Sequence, residues 1–82
     1  MPKHWIREVF QVPTYPTPMT ERQVKAWVKG DLTIHVLGKS WVVEQGEQRK
    51  HVHAETGRKC ASQAKFIGHI VHVNIMETSN VR

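Results

Sequence analysis

The sequence predicts an α+β domain in which one short helix packs on an antiparallel sheet of two or three strands. Residues 20–30 have the boundaries and spacing of a helix, residues 32–43 alternate like a hairpin, and residues 66–76 alternate like a further strand. A helix and a sheet each bury one face, so the two are expected to cover each other. The core is therefore expected between the helix and the strands.

Residues 21–29 form the predicted helix. Thr20 and Gln23 have the spacing of a capping box, in which each side chain binds the backbone N–H of the other residue. Gly30 stands where a left-handed residue would close the helix. Such a short helix needs a partner surface, because isolated helices of this length are marginal in water. The expected buried stripe has helical spacing and comprises Val24, Trp27 and Val28.

Residues 32–43 are predicted to form a hairpin. Residues 38–40 have turn chemistry, and residues 41–43 supply the aromatic and β-branched side chains of the return strand, with Trp41 expected in the core. The side of the first strand expected to face the core carries Leu32, Ile34 and Val36. The opposite side carries Thr33, His35 and Leu37.

The second half of the chain is less clearly patterned. Residues 44–50 are polar with a central glycine and predict a loop or the ragged end of the hairpin. Residues 51–54 predict a short strand, residues 55–58 a turn, and residues 58–65 a single helical turn. Residues 66–76 are the most strand-like segment and are expected to pair with an earlier strand.

The ends of the chain are interpreted separately from this unit. Three prolines within residues 13–18 predict an extended arm, because proline lacks the backbone donor and biases the preceding residue against a helix. Residues 4–12 fit either a helix or a strand. Residues 77–82 are expected to fray. The 82 residues as a whole are expected to form one domain.

Composition favours an anionic partner. Twelve Lys and Arg residues against seven Asp and Glu give a formal charge of +5, although many small proteins carry such a charge merely for solubility. The cations form two groups along the chain, and either group is suited to phosphates. The first group comprises Arg22, Lys25, Lys29 and Lys39. The second comprises Arg49, Lys50, Arg58, Lys59 and Lys65.

Other partners and compartments have less support. No apolar run approaches the roughly 20 residues that span a bilayer, and the first residues lack the apolar core of a signal peptide, so a cytoplasmic protein without a membrane partner is expected. The single cysteine, Cys60, excludes an internal disulfide and is expected to be a small buried side chain.

Neither a metal site, a cofactor nor a catalytic site is predicted. The pairs His51 with His53 and His69 with His72, together with Cys60, offer zinc-binding atoms. His69 and His72 would point to opposite faces of a regular strand, however, and the chain has no Cys-x-x-Cys partner. No spacing of nucleophile, base and acid indicates an enzyme.

The helix and hairpin together resemble a known pattern. Val-x-x-Trp-Val within a short helix, then Gly30, then the Gly-Lys-Ser-Trp sequence of residues 38–41, is similar to the small phage and mobile-element excisionases of the MerR-like winged-helix group. The resemblance covers about 25 of the 82 residues. It departs from the pattern where a helix should precede the recognition helix, since residues 13–18 are rich in proline.

The resemblance implies a winged-helix-like, DNA-binding accessory protein. In such proteins the helix enters the major groove, the wing touches the DNA backbone or minor groove, and the bound DNA is bent to direct an integrase or recombinase toward excision. Repression of transcription and cooperative self-association on DNA belong to the same expectation. The expected contacts to double-stranded DNA come from the helix and the wing. They are Arg22, Gln23, Lys25 and Lys29 on the helix, and Lys39 and Ser40 on the wing.

Two other functions also fit the sequence. A phage-type inhibitor or adaptor would dock on a host protein through the arm at residues 13–19 or through the edge of the strand at residues 66–76. An RNA-binding β domain would use the same basic residues but would expose aromatic side chains on a face of its sheet.

Overall fold

The computed structural model describes residues 17–76, which form two helices and a four-stranded sheet. The helices are α1 (Glu21–Trp27) and α2 (Ala54–Phe66). The strands are β1 (Leu32–Leu37), β2 (Ser40–Gln45), β3 (Gln48–Val52) and β4 (Val71–Met76). The strand order is β3-β2-β1-β4. Strand β2 is antiparallel to both β1 and β3, whereas β4 is parallel to β1.

The predicted α+β class is confirmed. The predicted sheet of two or three antiparallel strands is wrong, because the sheet has four strands and one parallel pair. The prediction of one helix is also wrong, since α2 is a full helix of 13 residues. The predictions for residues 4–12, for residues 13–16 of the arm and for the tail at residues 77–82 lie outside the described residues.

Helix α1 begins as predicted and ends differently. The Thr20 hydroxyl accepts from the Gln23 backbone N–H at 3.2 Å, and the Gln23 side chain accepts from the Thr20 N–H at 2.8 Å, which confirms the capping box. At the other end, the Gln45 side chain on β2 accepts from the N–H groups of Lys29 and Gly30 and donates to the Trp27 carbonyl. Gly30 therefore needs no left-handed conformation and has none, contrary to the prediction.

Two tight turns connect the three antiparallel strands. Gly38 and Gly46 each have a φ near +60°, and each is the first residue of a two-residue turn whose second residue is charged and has a negative φ. The first turn lies where it was predicted, except that Ser40 already belongs to β2. The second corrects the prediction that residues 44–50 form a loop, since β2 continues to Gln45 and β3 begins at Gln48. The polar residues of this segment are compatible with strands because β3 lies at the edge of the sheet and its first residues are exposed to solvent.

Helix α2 replaces the predicted turn at residues 55–58. It packs on the sheet through a stripe of small residues at helical spacing, and its Gly57 lies against the Trp41 ring of β2 with no room for a Cβ atom. The helix returns the chain along the sheet, and for that reason β4 runs parallel to β1 rather than antiparallel. The stripe consists of Gly57, Cys60, Ala61 and Ala64.

The core lies between the two helices and one face of the sheet. Val24 and Val28 from the α1 region are buried there, and both Trp27 and Trp41 are partly buried against the same cluster. His35 points to the other face of β1 but is also buried, which corrects the expectation of a half-exposed strand. Its ring is held between neighbouring strands, 2.9 Å from Glu44 Oε1 and 3.4 Å from Asn74 Nδ2. The strand residues of the core cluster are Leu32, Ile34, Val43 and Val52.

Asp31 joins the start of β1 to the loop before β4. Its carboxylate accepts from the Ile70 backbone N–H at 3.0 Å and lies 3.2 Å from His69 Nδ1. The pKa of Asp31 is lowered from its ordinary value, chiefly because the Ile70 N–H stabilises the carboxylate. This contact helps to set the register of β4 against β1.

Cys60 gives the fold a specific dependence on alkaline pH. The side chain is fully buried in the core, and this burial raises the pKa of the thiol from 9.0 to about 11, although Lys50 opposes the shift. As pH rises, the thiol of the unfolded chain ionises first and stabilises that state. We therefore expect ionisation of this thiol in the unfolded chain to lower the free energy of unfolding by about 1.4 kcal/mol at about pH 10.

Urea unfolding at about pH 7 and about pH 10 measures this loss. The Cys60→Ala variant carries no thiol. Between the two pH values its free energy of unfolding should fall by about 1.4 kcal/mol less than that of the wild-type protein, whatever its stability at neutral pH. Equal losses in the two proteins would show that the thiol does not contribute.

Candidate nucleic-acid interface

Positive charge is concentrated in the helical layer. Residues 20–30 and 54–66, which contain the helices, carry six Lys and Arg against two Glu, an excess of four. Residues 31–52, which contain β1 to β3, carry three Lys and Arg against three Asp and Glu, and β4 carries none of these residues. The charge excess of residues 17–76 therefore belongs to the two segments that contain the helices.

Helix α1 presents two of the predicted DNA-binding side chains to solvent. Arg22 and Lys25 are exposed and one turn apart, while Val24 between them is buried. Gln23 is also exposed, but its side-chain oxygen is occupied by the capping box. The capping contact leaves the Gln23 amide nitrogen for a ligand.

An open groove separates α1 from α2. Lys25 lines it from α1, and Arg58 and Lys59 line it from α2, with Phe66 at the end of the helix. Arg58 lies over the Trp41 ring, 5.9 Å from its centroid, and Lys59 pairs with Glu55 at 3.3 Å. These contacts hold the two α2 cations beside the groove. The groove thus combines three cations with two carboxylates, those of Glu21 and Glu55, and one exposed aromatic ring.

The segment before α1 is hydrogen-bonded to α2, and these bonds hold the two helices together at that end of the groove. The Met19 N–H donates to Thr56 Oγ1 at 2.9 Å, and Lys59 Nζ donates to the Met19 carbonyl at 3.2 Å. Val24 and Val28 are buried in the same core cluster as Cys60 and Ala64. The two helices therefore present their cations on one continuous surface.

The remaining predicted DNA-binding residues lie at the two ends of this surface. Lys39 is exposed in the β1–β2 turn, and Ser40 is half-buried at the start of β2. Trp41 pairs with Val52, so this turn and the start of α2 lie at the same end of the sheet. Lys29 lies at the opposite end, where its N–H binds Gln45 next to the β2–β3 turn. The six predicted residues do not form one cluster.

The second basic group of the sequence is divided by the fold. Arg58, Lys59 and Lys65 lie on α2, beside the α1 cations. Arg49 lies on the opposite face of the sheet, where it pairs with Glu44 at 3.7 Å. Sequence reasoning did not anticipate that α2 and α1 join into one basic surface, because only a helical turn at residues 58–65 was predicted where the structure has the full helix α2.

The histidines considered as metal ligands are dispersed. His53 immediately precedes α2, and His69 pairs with Asp31. Within residues 17–76 no three His, Cys, Asp or Glu side chains are close enough together to hold a metal ion. In the same part of the chain, neither helix has the length and apolar character needed to cross a bilayer.

No protein-family model, curated protein or solved structure matches this chain.

Proposed function

We propose that this protein binds double-stranded DNA through its helical layer. The observation that carries the proposal is the segregation of charge: residues 20–30 and 54–66, which contain the helices, carry an excess of four positive charges, whereas the charges of residues 31–52 balance. Solubility alone does not require such segregation, since scattered charges serve it equally well. A polyanion would meet a continuous basic surface on one side of the molecule.

Helix α1 is the element best suited to a DNA groove. Its seven residues span roughly 10 Å at 1.5 Å per residue, and a major groove about 12 Å wide admits one helix. Arg22 and Lys25 project from its exposed side, where Arg22 can reach base edges or phosphates. Arg58 and Lys59 on α2 would then contact the phosphate backbone beside the groove.

The turn that follows β1 extends this surface at one end. Lys39 lies at the same end of the sheet as the start of α2, and Ser40 follows it. In the excisionase-like, winged-helix form of the proposal, this turn is the wing and contacts flanking phosphates. The protein would then act as an accessory factor that bends DNA for an integrase or recombinase and represses transcription from the same site.

The sheet is less suited to the RNA-binding alternative. RNA-binding sheets stack bases on exposed aromatic side chains. Among the Phe, Tyr and Trp residues of the chain, only Trp41 lies on a described strand, and it is partly buried beneath α2. The described strands therefore offer no aromatic platform for stacking.

Salt dependence of binding tests the proposal. We expect fluorescence anisotropy with a labelled duplex to give a plot of log affinity against log salt with a slope of about −3 to −5. Each neutralised phosphate contributes roughly −0.9, and three to five cations of the helical layer can make contact. A single-stranded oligonucleotide of the same sequence serves as the control and is expected to bind more weakly. Absence of duplex binding at low salt, or affinity that does not change with salt, would contradict the proposal.

A further inference from the structure

Phe66 is the most exposed large apolar side chain of residues 17–76, with an exposed fraction of 85%. It lies in the last turn of α2 and lines the end of the α1–α2 groove. Ala64, two residues earlier, is buried in the core. Successive residues of a helix are about 100° apart, so Phe66 points roughly 200° away from Ala64. The outward direction of this ring is therefore set by the helix itself.

A hydrogen-bonded cap fixes the last turn of α2. The His69 N–H donates to the Ala64 carbonyl at 2.8 Å, and the Gly68 N–H donates to the Lys65 carbonyl at 3.1 Å. Gly68 has a φ of +93°, and the two bonds with a left-handed glycine form a Schellman motif. Phe66 is thus presented from a closed helix end. This order lowers the conformational entropy that is lost when a ligand covers the ring.

The charges of the two helices are distributed unevenly along the groove. Glu21 and Glu55 lie in the first turns of their helices, whereas Lys25 and Lys65 lie in the last turns. The segment just before α1 is hydrogen-bonded to residues near the start of α2, so both carboxylates lie at the same end of the groove. The other end combines the Phe66 ring with two exposed lysines.

The surroundings of the ring carry little negative charge. Residues 56–76 contain no Asp or Glu. Asp31 approaches the loop after α2, where it accepts from the Ile70 N–H at 3.0 Å and lies 3.2 Å from His69 Nδ1. Ile67, which follows the ring in the chain, is 40% exposed. The tip of α2 is therefore an apolar projection beside two cations.

We propose that Phe66 enters a base step of the bound DNA as a wedge, and that Lys25 and Lys65 contact phosphates beside that step. The inference rests on the DNA binding proposed above and assigns the bending of the duplex to one side chain. Nucleic acids place flat base faces next to phosphates, and aromatic side chains within cationic surfaces bind them by stacking. An aromatic ring beside two lysines matches this combination.

The arrangement of the helices is consistent with a wedge. Packed helices lie about 8–10 Å apart, so α2 would lie over the phosphate strand that borders the major groove when α1 occupies that groove. Phe66 then faces the adjacent minor groove, from which apolar side chains unstack base steps. Such unstacking kinks a duplex by roughly 20–90° toward the major groove. The kink would bend the DNA toward α1 and the cations of the helical layer.

An alanine at Phe66 tests the wedge. Alanine is favoured in helices, so circular dichroism should show an unchanged fold. We expect Phe66→Ala to bind duplex DNA roughly tenfold more weakly, as for other stacked aromatic side chains. The slope of log affinity against log salt should stay the same, because no charge is removed. Phe66→Leu keeps an apolar wedge and should stay within about threefold of the wild-type affinity. Ile75→Ala truncates a 77% exposed side chain on β4 and should change affinity less than about twofold.

Bending is measured on the same variants with a duplex of about 20 base pairs that carries a donor and an acceptor dye at its ends. 2-Aminopurine at its TA steps, which unstack easily, reports insertion of the wedge. At saturation the wild-type protein, Phe66→Leu and Ile75→Ala should raise both energy transfer and 2-aminopurine fluorescence. Phe66→Ala should give less than about half of each change.

The outcomes separate the wedge from DNA binding itself. Salt-dependent duplex binding without bending would overturn the wedge and leave the proposed DNA binding intact. Equal affinity and bending by Phe66→Ala and the wild-type protein, or a shallower salt slope for Phe66→Ala, would do the same. Absence of salt-dependent duplex binding by the wild-type protein would overturn both proposals.

Discussion

Gly57→Ala is expected to lower the free energy of unfolding by about 1–3 kcal/mol. A Cβ atom at this position would lie 2.3 Å from Cε3 of the Trp41 ring and 2.9 Å from Cζ3. The ring cannot simply move aside, because it packs against the core cluster and Arg58 lies over it. Helix propensity alone predicts the opposite sign, since alanine is favoured over glycine in a helix by about 1 kcal/mol.

The comparison with Gly30→Ala isolates this steric effect. A Cβ at Gly30 meets nothing within 4 Å, and the residue does not have a positive φ. Gly30→Ala is therefore expected to change stability by less than about 0.5 kcal/mol or to increase it slightly. Urea unfolding followed by tryptophan fluorescence measures both variants. Equal or greater stability of Gly57→Ala would show that α2 does not press on Trp41.

Local signals made the first half of the fold predictable. The Thr20 and Gln23 capping pair marks the start of α1, and the alternation of β1 followed by Gly38 marks the first hairpin. Each of these features depends on residues close together in the chain. The end of α1 was less accessible to sequence reasoning, because the Trp27 carbonyl and the N–H groups of Lys29 and Gly30 just after the helix are bound by Gln45, a residue 15 or more positions away.

Helix α2 was missed because its buried stripe is made of small residues. Periodicity analysis seeks large apolar side chains, but here Gly57, Cys60 and Ala64 supply the helical spacing. Small residues allow the helix to approach Trp41 closely. Glycine and threonine near the start of the segment instead favoured a turn. The spacing of small residues was the signal that could have identified the helix.

The direction of β4 follows from α2 and could not be predicted without it. A short connection would have returned the chain antiparallel, whereas a helix of 13 residues carries it back to the end of the sheet at which β1 starts. The candidate site depends on the same element. Arg22 and Lys25 were identified from the α1 pattern, but Arg58 joins them only because α2 packs beside α1.

Arg22→Glu with Lys25→Glu is expected to weaken duplex DNA binding by roughly 100-fold at moderate salt. Both side chains are exposed on α1, so the change adds two negative charges to the proposed contact surface with little effect on packing. The loss should shrink as salt rises, because the lost contacts are electrostatic. The slope of log affinity against log salt should become shallower by about two phosphate contacts.

The most direct test of the helical layer as the DNA-binding surface is the duplex affinity of Lys25→Glu compared with that of Arg49→Glu. Each variant reverses one cation, but Lys25 lies on α1 and Arg49 lies on the opposite face of the sheet. We expect anisotropy titrations to show roughly tenfold weaker binding for Lys25→Glu and less than about threefold for Arg49→Glu. Equal losses, or the larger loss for Arg49→Glu, would contradict the assignment of DNA binding to the helical layer.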